Sequence, residues 1–125
     1  MSTALYIPVV WAAGSALSSF VLFKADGPNG LLIPAGMVGA QMTFFRAPFE
    51  NGAVVPGSAV ALFDILGARV SFMIAATARV IVFHHSAIRG IGYLGLRTED
   101  AAGTAVVQVG AATAFWLGAT EAPLI

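Results

Sequence analysis

Between Leu62 and Thr98 the chain carries three short apolar segments, Ala68 to Ile74, Arg79 to Phe83 and Tyr93 to Thr98, each rich in β-branched or aromatic residues. Stretches of Gly, Ala, Thr, Ser and His separate them, the pattern of strands with breakers between. Successive strand side chains face opposite ways, so Val70, Phe72 and Ile74 share one face of the first segment, and Arg69, Ser71 and Met73 the other. In the last segment Leu94 and Leu96 oppose Tyr93, Gly95 and Arg97. The three are expected to be neighbouring strands of a sheet with one buried face.

The same punctuation runs through the rest of the chain, which has 14 glycines and six prolines. Leu5 to Trp11 is broken by Pro8, which restricts it to an edge strand or an extended arm. Ala16 to Phe23 alternates as a strand, and Asp26-Gly27-Pro28-Asn29-Gly30 reads as a turn. Leu31 to Pro34 is a short strand; Ala40 to Arg46 is another, with Met42 and Phe44 opposing Gln41, Thr43 and Phe45. Asn51-Gly52 favours a tight turn; Phe45 and Phe49 are candidates for exposed apolar contacts, although core packing is the commoner use of a Phe. Ala59 to Asp64 is a further strand. Thr98 to Gly103 is expected as a polar loop with Glu99 and Asp100 solvated, followed by a closing hairpin of Thr104 to Val109 and Thr113 to Leu117.

About eight or nine short strands at 8 to 12-residue spacing, with no helix of ordinary length, predict an all-β, single-domain antiparallel β-sandwich of jelly-roll type. Residues 1–14 form an N-terminal arm or edge strand, 15–118 the sandwich and 119–125 a tail ending on Leu124-Ile125. At 125 residues such a domain buries roughly two thirds of its unfolded surface.

Composition narrows the function. Six Lys plus Arg balance six Asp plus Glu, and a net charge of zero argues against nucleic acid as a partner. There is no cysteine, so disulfides, thiolate metal sites and a Cys nucleophile are excluded. Only 10% of residues are charged against 58% apolar, whereas an isolated soluble domain has about 25% charged. Either a membrane or a large protein interface must cover the excess. Met1 to Phe23 and Ala101 to Thr120 are uncharged and long enough to span a bilayer. The first is weakened by Pro8, Gly14 and three serines, and the second is rich in small and polar residues. Asp64, Arg69, Arg79, His84 and His85 interrupt the central region at a cost of a few kcal/mol each at bilayer depth. The interface reading is therefore preferred: obligate interfaces resemble a domain core cut in half.

No catalytic signature is present. His84 and His85, adjacent on a strand, point to opposite faces and do not converge on one metal. Asp26 and Asn29 offer too few oxygens for a calcium cage. There is no Gly-x-Ser-x-Gly elbow and no phosphate loop around the single lysine, Lys24; Gly90-Ile91-Gly92 lacks the third glycine of a dinucleotide fingerprint. No catalytic, cofactor or metal residues are assigned. Trp11, Trp116, Tyr6 and Tyr93 would make a sugar-stacking platform if exposed together, but the convergent polar groups such a site needs are scarce, and core or interface anchoring is preferred.

The order of segments, Leu31-Leu32-Ile33-Pro34, then Ala40-Gln41-Met42-Thr43-Phe44-Phe45, Leu62-Phe63-Asp64 and Gly92-Tyr93-Leu94-Gly95-Leu96-Arg97-Thr98, resembles a family of small β-sandwich proteins. They come from the structural gene clusters of tailed bacteriophages and prophages and are related to the discoidin-like jelly roll. The likeness covers about Ser15 to Leu117. It departs at Gly95, where a lysine is common, and in a more apolar Arg79 to His85. The resemblance implies a non-enzymatic virion component that decorates or cements a capsid through apolar contacts with the major capsid protein or other virion subunits. It also implies a homo-oligomer, expected as a trimer from the common symmetry of capsid decoration. The alternatives are a carbohydrate- or receptor-binding module of a fibre or tail, and a small integral membrane protein.

Overall fold

The computed structural model describes residues 6–22, 30–47, 49–50, 53–54, 59–63, 65–74, 78–82 and 93–117. Their regular structure is entirely β: β1 Tyr6–Trp11, β2 Val21–Leu22, β3 Gly30–Ile33, β4 Gln41–Arg46, β5 Phe49–Glu50, β6 Ala53–Val54, β7 Val60–Ala61, β8 Ser71–Met73, β9 Arg79–Val82, β10 Tyr93–Glu99 and β11 Ala112–Leu117. A first sheet has the order β1-β11-β3-β9, and a second β2-β10-β4-β7, with β8 also on β4. All pairings are antiparallel, and β5 and β6 form a small separate ribbon. The chain is a single-domain antiparallel β-sandwich.

Alternation within each strand builds the core. Ile7, Val9 and Trp11 of β1, Leu31 and Ile33 of β3 and Ala114 and Trp116 of β11 point inward from the first sheet; Met42 and Phe44 of β4 and Leu94 and Leu96 of β10 point inward from the second. Phe44 joins the layers, stacked on Trp116 with ring centroids 6.1 Å apart and tilted against Phe72 at 5.6 Å. Each large side chain fully buried here contributes about 1.5–3 kcal/mol. Pro8 sits on the edge strand β1, where its missing N–H costs the ladder nothing.

The three central segments are not neighbours, contrary to the sequence-based expectation. β8 lies on β4, β9 lies on β3 in the other sheet, and β10 lies between β2 and β4. Chain order in a sandwich does not dictate pairing, because connections cross between layers. β7 and β8 share one edge of β4, and the chain leaves that edge between them. Leu62 N–H donates to Phe44 O, Phe44 N–H to Val70 O and Val70 N–H to Leu62 O, each at 2.9 Å, while Phe63 bridges Arg69. Residues 62–70 thus project as a hairpin whose tip carries Ile65, 99% exposed, and Leu66, 89% exposed.

Two further expectations change. Of Ala16 to Phe23, only Val21 and Leu22 form a strand; the preceding residues follow β10 more loosely, with Ser18 N–H donating to Leu96 O and the Ser18 hydroxyl accepting from Leu96 N–H. Thr104 to Val109 does not pair with Thr113 to Leu117. β11 is taken by β1 and β3, and residues 104–108 run beside the end of β10 and residues 14–15, with Val106 N–H donating to Thr98 O and Gln108 N–H to Ser15 O. The tail 119–125 and most of the Asp26 to Gly30 turn lie outside the described residues.

Candidate interaction surface

Among the described residues, those that sequence reading singled out for chemistry do not converge on a site. Trp11 and Trp116 are fully buried, and the Trp11 indole N–H donates to Ala16 O at 2.9 Å. The aromatic platform with Tyr93 is therefore not formed; both indoles serve the core. Phe45 is buried, as the commoner core use of a Phe had it, with the Arg97 guanidinium 4.8 Å from its ring centroid. Phe49 is placed in β5 without a described side chain, and Lys24, Asp26, Asn29, His84, His85 and Gly90 to Gly92 lie outside the described residues. Among those described, no three His, Cys, Asp or Glu side chains cluster as metal ligands, and no helix is long and apolar enough to cross a membrane.

Glu99 overturns the expectation of a solvated loop acid. It ends β10, its side chain is completely enclosed, and it faces outward from the second sheet beneath a polar lid. One carboxylate oxygen accepts from the Thr43 hydroxyl at 2.6 Å and the Gln41 amide at 3.0 Å; the other meets Arg69 and Arg97, both at 2.8 Å. The register explains the convergence: Gln41 lies opposite Glu99 and Thr43 opposite Arg97, and alternation puts all four on one face. Burial opposes ionisation of Glu99, but the bonds from Thr43, Gln41 and Arg97 and the Arg97 charge outweigh it and hold the carboxyl below its ordinary value. Asp100 shapes the next turn, accepting from the N–H groups of Ala102 and Thr104 at 2.9 Å. These acids and arginines are structural: every carboxylate oxygen of Glu99 is already engaged.

The outer face of the first sheet is the opposite in character. Since Ile7, Val9, Leu31, Ile33, Ile81, Ala114 and Trp116 point inward, the alternate residues point out. The register sets Pro8, Phe115, Leu32 and Val80 in a row across all four strands. Leu117 and Val82 flank Gly30 in the adjoining row, and Val10 stands beside Thr113. Among the described residues, this face contains no Asp, Glu, Lys, Arg or His. Val10 is 43% exposed, Val80 53% and Val82 83%. Two six-residue and two four-residue strands about 4.8 Å apart give a footprint of roughly 300 Å², comparable to the largest apolar patch on a typical monomer.

A cleft of about 290 Å³ opens at one end of the sandwich between residues 34–38 and 108–113. Buried Gln108 closes its floor, accepting from Val38 N–H at 3.0 Å and donating to Val38 O at 2.8 Å. No titratable side chain lines the cleft, so it offers shape and backbone dipoles but no acid, base or charge.

No family model, curated protein or solved structure matches this chain. The resemblance to phage β-sandwich proteins rests on the sequence landmarks alone. In the fold those landmarks are β3, β4, the start of the projecting hairpin and β10, all of them scaffold.

Proposed function

We propose that this chain is a non-enzymatic structural protein of a tailed-phage virion, one that decorates or cements the capsid through the outer face of its first sheet. The observation that carries the assembly role is the uncharged apolar row from Pro8 to Val80 across four strands. A face without charge has no basis for selecting nucleic acid or an ionic ligand, and it is covered well only by another apolar protein surface. The strand order is consistent with a jelly roll: β1-β11-β3-β9 packs on β2-β10-β4, with β7 and β8 sharing the far edge of β4. The sequence landmarks supply the virion context.

The mechanism is additive burial. Roughly 300 Å² of apolar footprint at about 25 cal/mol per Å² contributes about 7–8 kcal/mol before the cost of association. That cost is about 4–15 kcal/mol, so one copy is near break-even and a symmetric array of linked copies holds. The test is co-sedimentation of the purified protein with phage particles stripped of it. Saturable binding, at a copy number comparable to the major capsid protein and lost in Val10→Lys, is expected. Failure to bind heads or tails would remove the virion role.

A further inference from the structure

We propose that β9 is a self-pairing edge: two copies of this chain join their first sheets by antiparallel pairing of β9 with β9 across a two-fold axis through Ile81. The proposal rests on the assembly reading and names its self-contact.

The other sheet edges are guarded against such pairing. On β1, Pro8 has no N–H to offer, and Ser19 occupies Val10, its hydroxyl accepting from Val10 N–H at 3.0 Å and its N–H donating to Val10 O at 2.9 Å. β2 is two residues long. The edge formed by β7 and β8 is broken by the projecting hairpin of residues 62–70. Among the described residues β9 carries one such device only, the charge of Arg79 at its first position opposite Ile33. Its sequence Arg79-Val80-Ile81-Val82 contains no proline, lysine or glycine, it pairs regularly with β3 over all four residues, and no described strand lies on its other side. Val82 stands especially open because its cross-strand neighbour is Gly30, where a Cβ would come 2.5 Å from Ile81 O.

An open edge accepts an extended strand, and the residues of β9 fit a second copy of themselves. A two-fold axis normal to the sheet keeps inward residues inward. Centred on Ile81, it sets Ile81 against its own counterpart and Val80 against Val82 of the partner. β-Branched pairs then meet on both faces, no like charges are opposed, and Arg79 falls outside the Val-Ile-Val centre. The same pairing makes the two first sheets one continuous eight-stranded sheet and joins their apolar outer rows.

The experiment is sedimentation equilibrium of the purified full chain over a wide concentration range. A monomer–dimer equilibrium is expected, weakened about tenfold or more by Val82→Lys, whose side chain is exposed enough to leave the urea midpoint unchanged. V10K, on the same face but the far strand, leaves the dimer intact, and the double variant V80K/V82E, in which each new charge meets its opposite across the axis, regains association. A chain that stays monomeric, a trimer, or a dimer lost equally in V10K and V82K overturns edge pairing. Particle binding is measured separately: a monomer that still binds particles sinks the pairing and spares the assembly reading, while a V82K-sensitive dimer that binds none does the reverse.

Discussion

Arg69 reaches across β4 to place its guanidinium 2.8 Å from the carboxylate of Glu99, thirty residues away in sequence and wholly enclosed. The contact ties the base of the projecting hairpin to the end of β10, and Arg97 meets the same oxygen from two positions along the strand. The charged cluster closes this end of the second sheet, although Met73 beside Gln41 stays 75% exposed; the described outer face of the first sheet carries an unbroken apolar row.

Replacing Glu99 by Ala leaves the Thr43 hydroxyl, the Gln41 amide and two guanidinium groups without their acceptor. A loss of about 2–4 kcal/mol in urea unfolding is expected, with Glu99→Gln losing less because the amide oxygen still accepts.

The same carboxyl makes stability depend on pH. Its folded value lies below the ordinary 4.5, so its contribution is fully present above about pH 4.5 and disappears as pH falls through the lower folded value. The urea midpoint of the wild-type chain should drop over that acidic range, and the E99Q profile should be flatter there.

Trp11 and Trp116 are the only tryptophans in the chain, and both are buried. Intrinsic fluorescence is expected to be blue-shifted, resistant to acrylamide and indifferent to added mono- or oligosaccharides. Ready quenching in the folded protein would contradict the inward placement of both indoles.

Gly95 accounts for a departure noted in the sequence. A Cβ there would meet the Phe20 ring at 2.9 Å, so a side chain at 95 must displace that ring. Gly95→Ala is expected to cost about 1–3 kcal/mol, and much less in a Phe20→Ala background; a double-mutant cycle by urea unfolding reads the coupling.

Gln108 holds residues 34–38 against the 104–110 segment through both polar groups of Val38. Gln108→Ala should destabilise by about 1–2 kcal/mol and speed hydrogen exchange at the Val38 amide more than at amides of β10.

Alternation within a segment is a local property, and the sequence alone determined what depends on it. The all-β class, the inward faces Met42/Phe44, Leu94/Leu96 and Val70/Phe72/Ile74, and the confinement of Pro8 to an edge were all legible, because a strand must repeat every two residues whatever it pairs with. The interaction face was half legible. The shortage of charge announced that some surface must be apolar, but nothing in the spacing of Pro8, Leu32, Val80 and Phe115 says that they form one row.

Tertiary structure decided everything that depends on which strands meet. It separated β8, β9 and β10, gave β11 to β1 and β3 in place of residues 104–109 and enclosed Glu99. Glu99 shows why these could not be read in advance. In the chain it is one acid beside another in a polar stretch. Only pairing with β4 brings Thr43 and Gln41 beneath it, and only the excursion at residues 62–70 brings Arg69 over it. Pairing and burial come from contacts between residues tens of positions apart, and the free energy of those contacts is a property of the assembled fold.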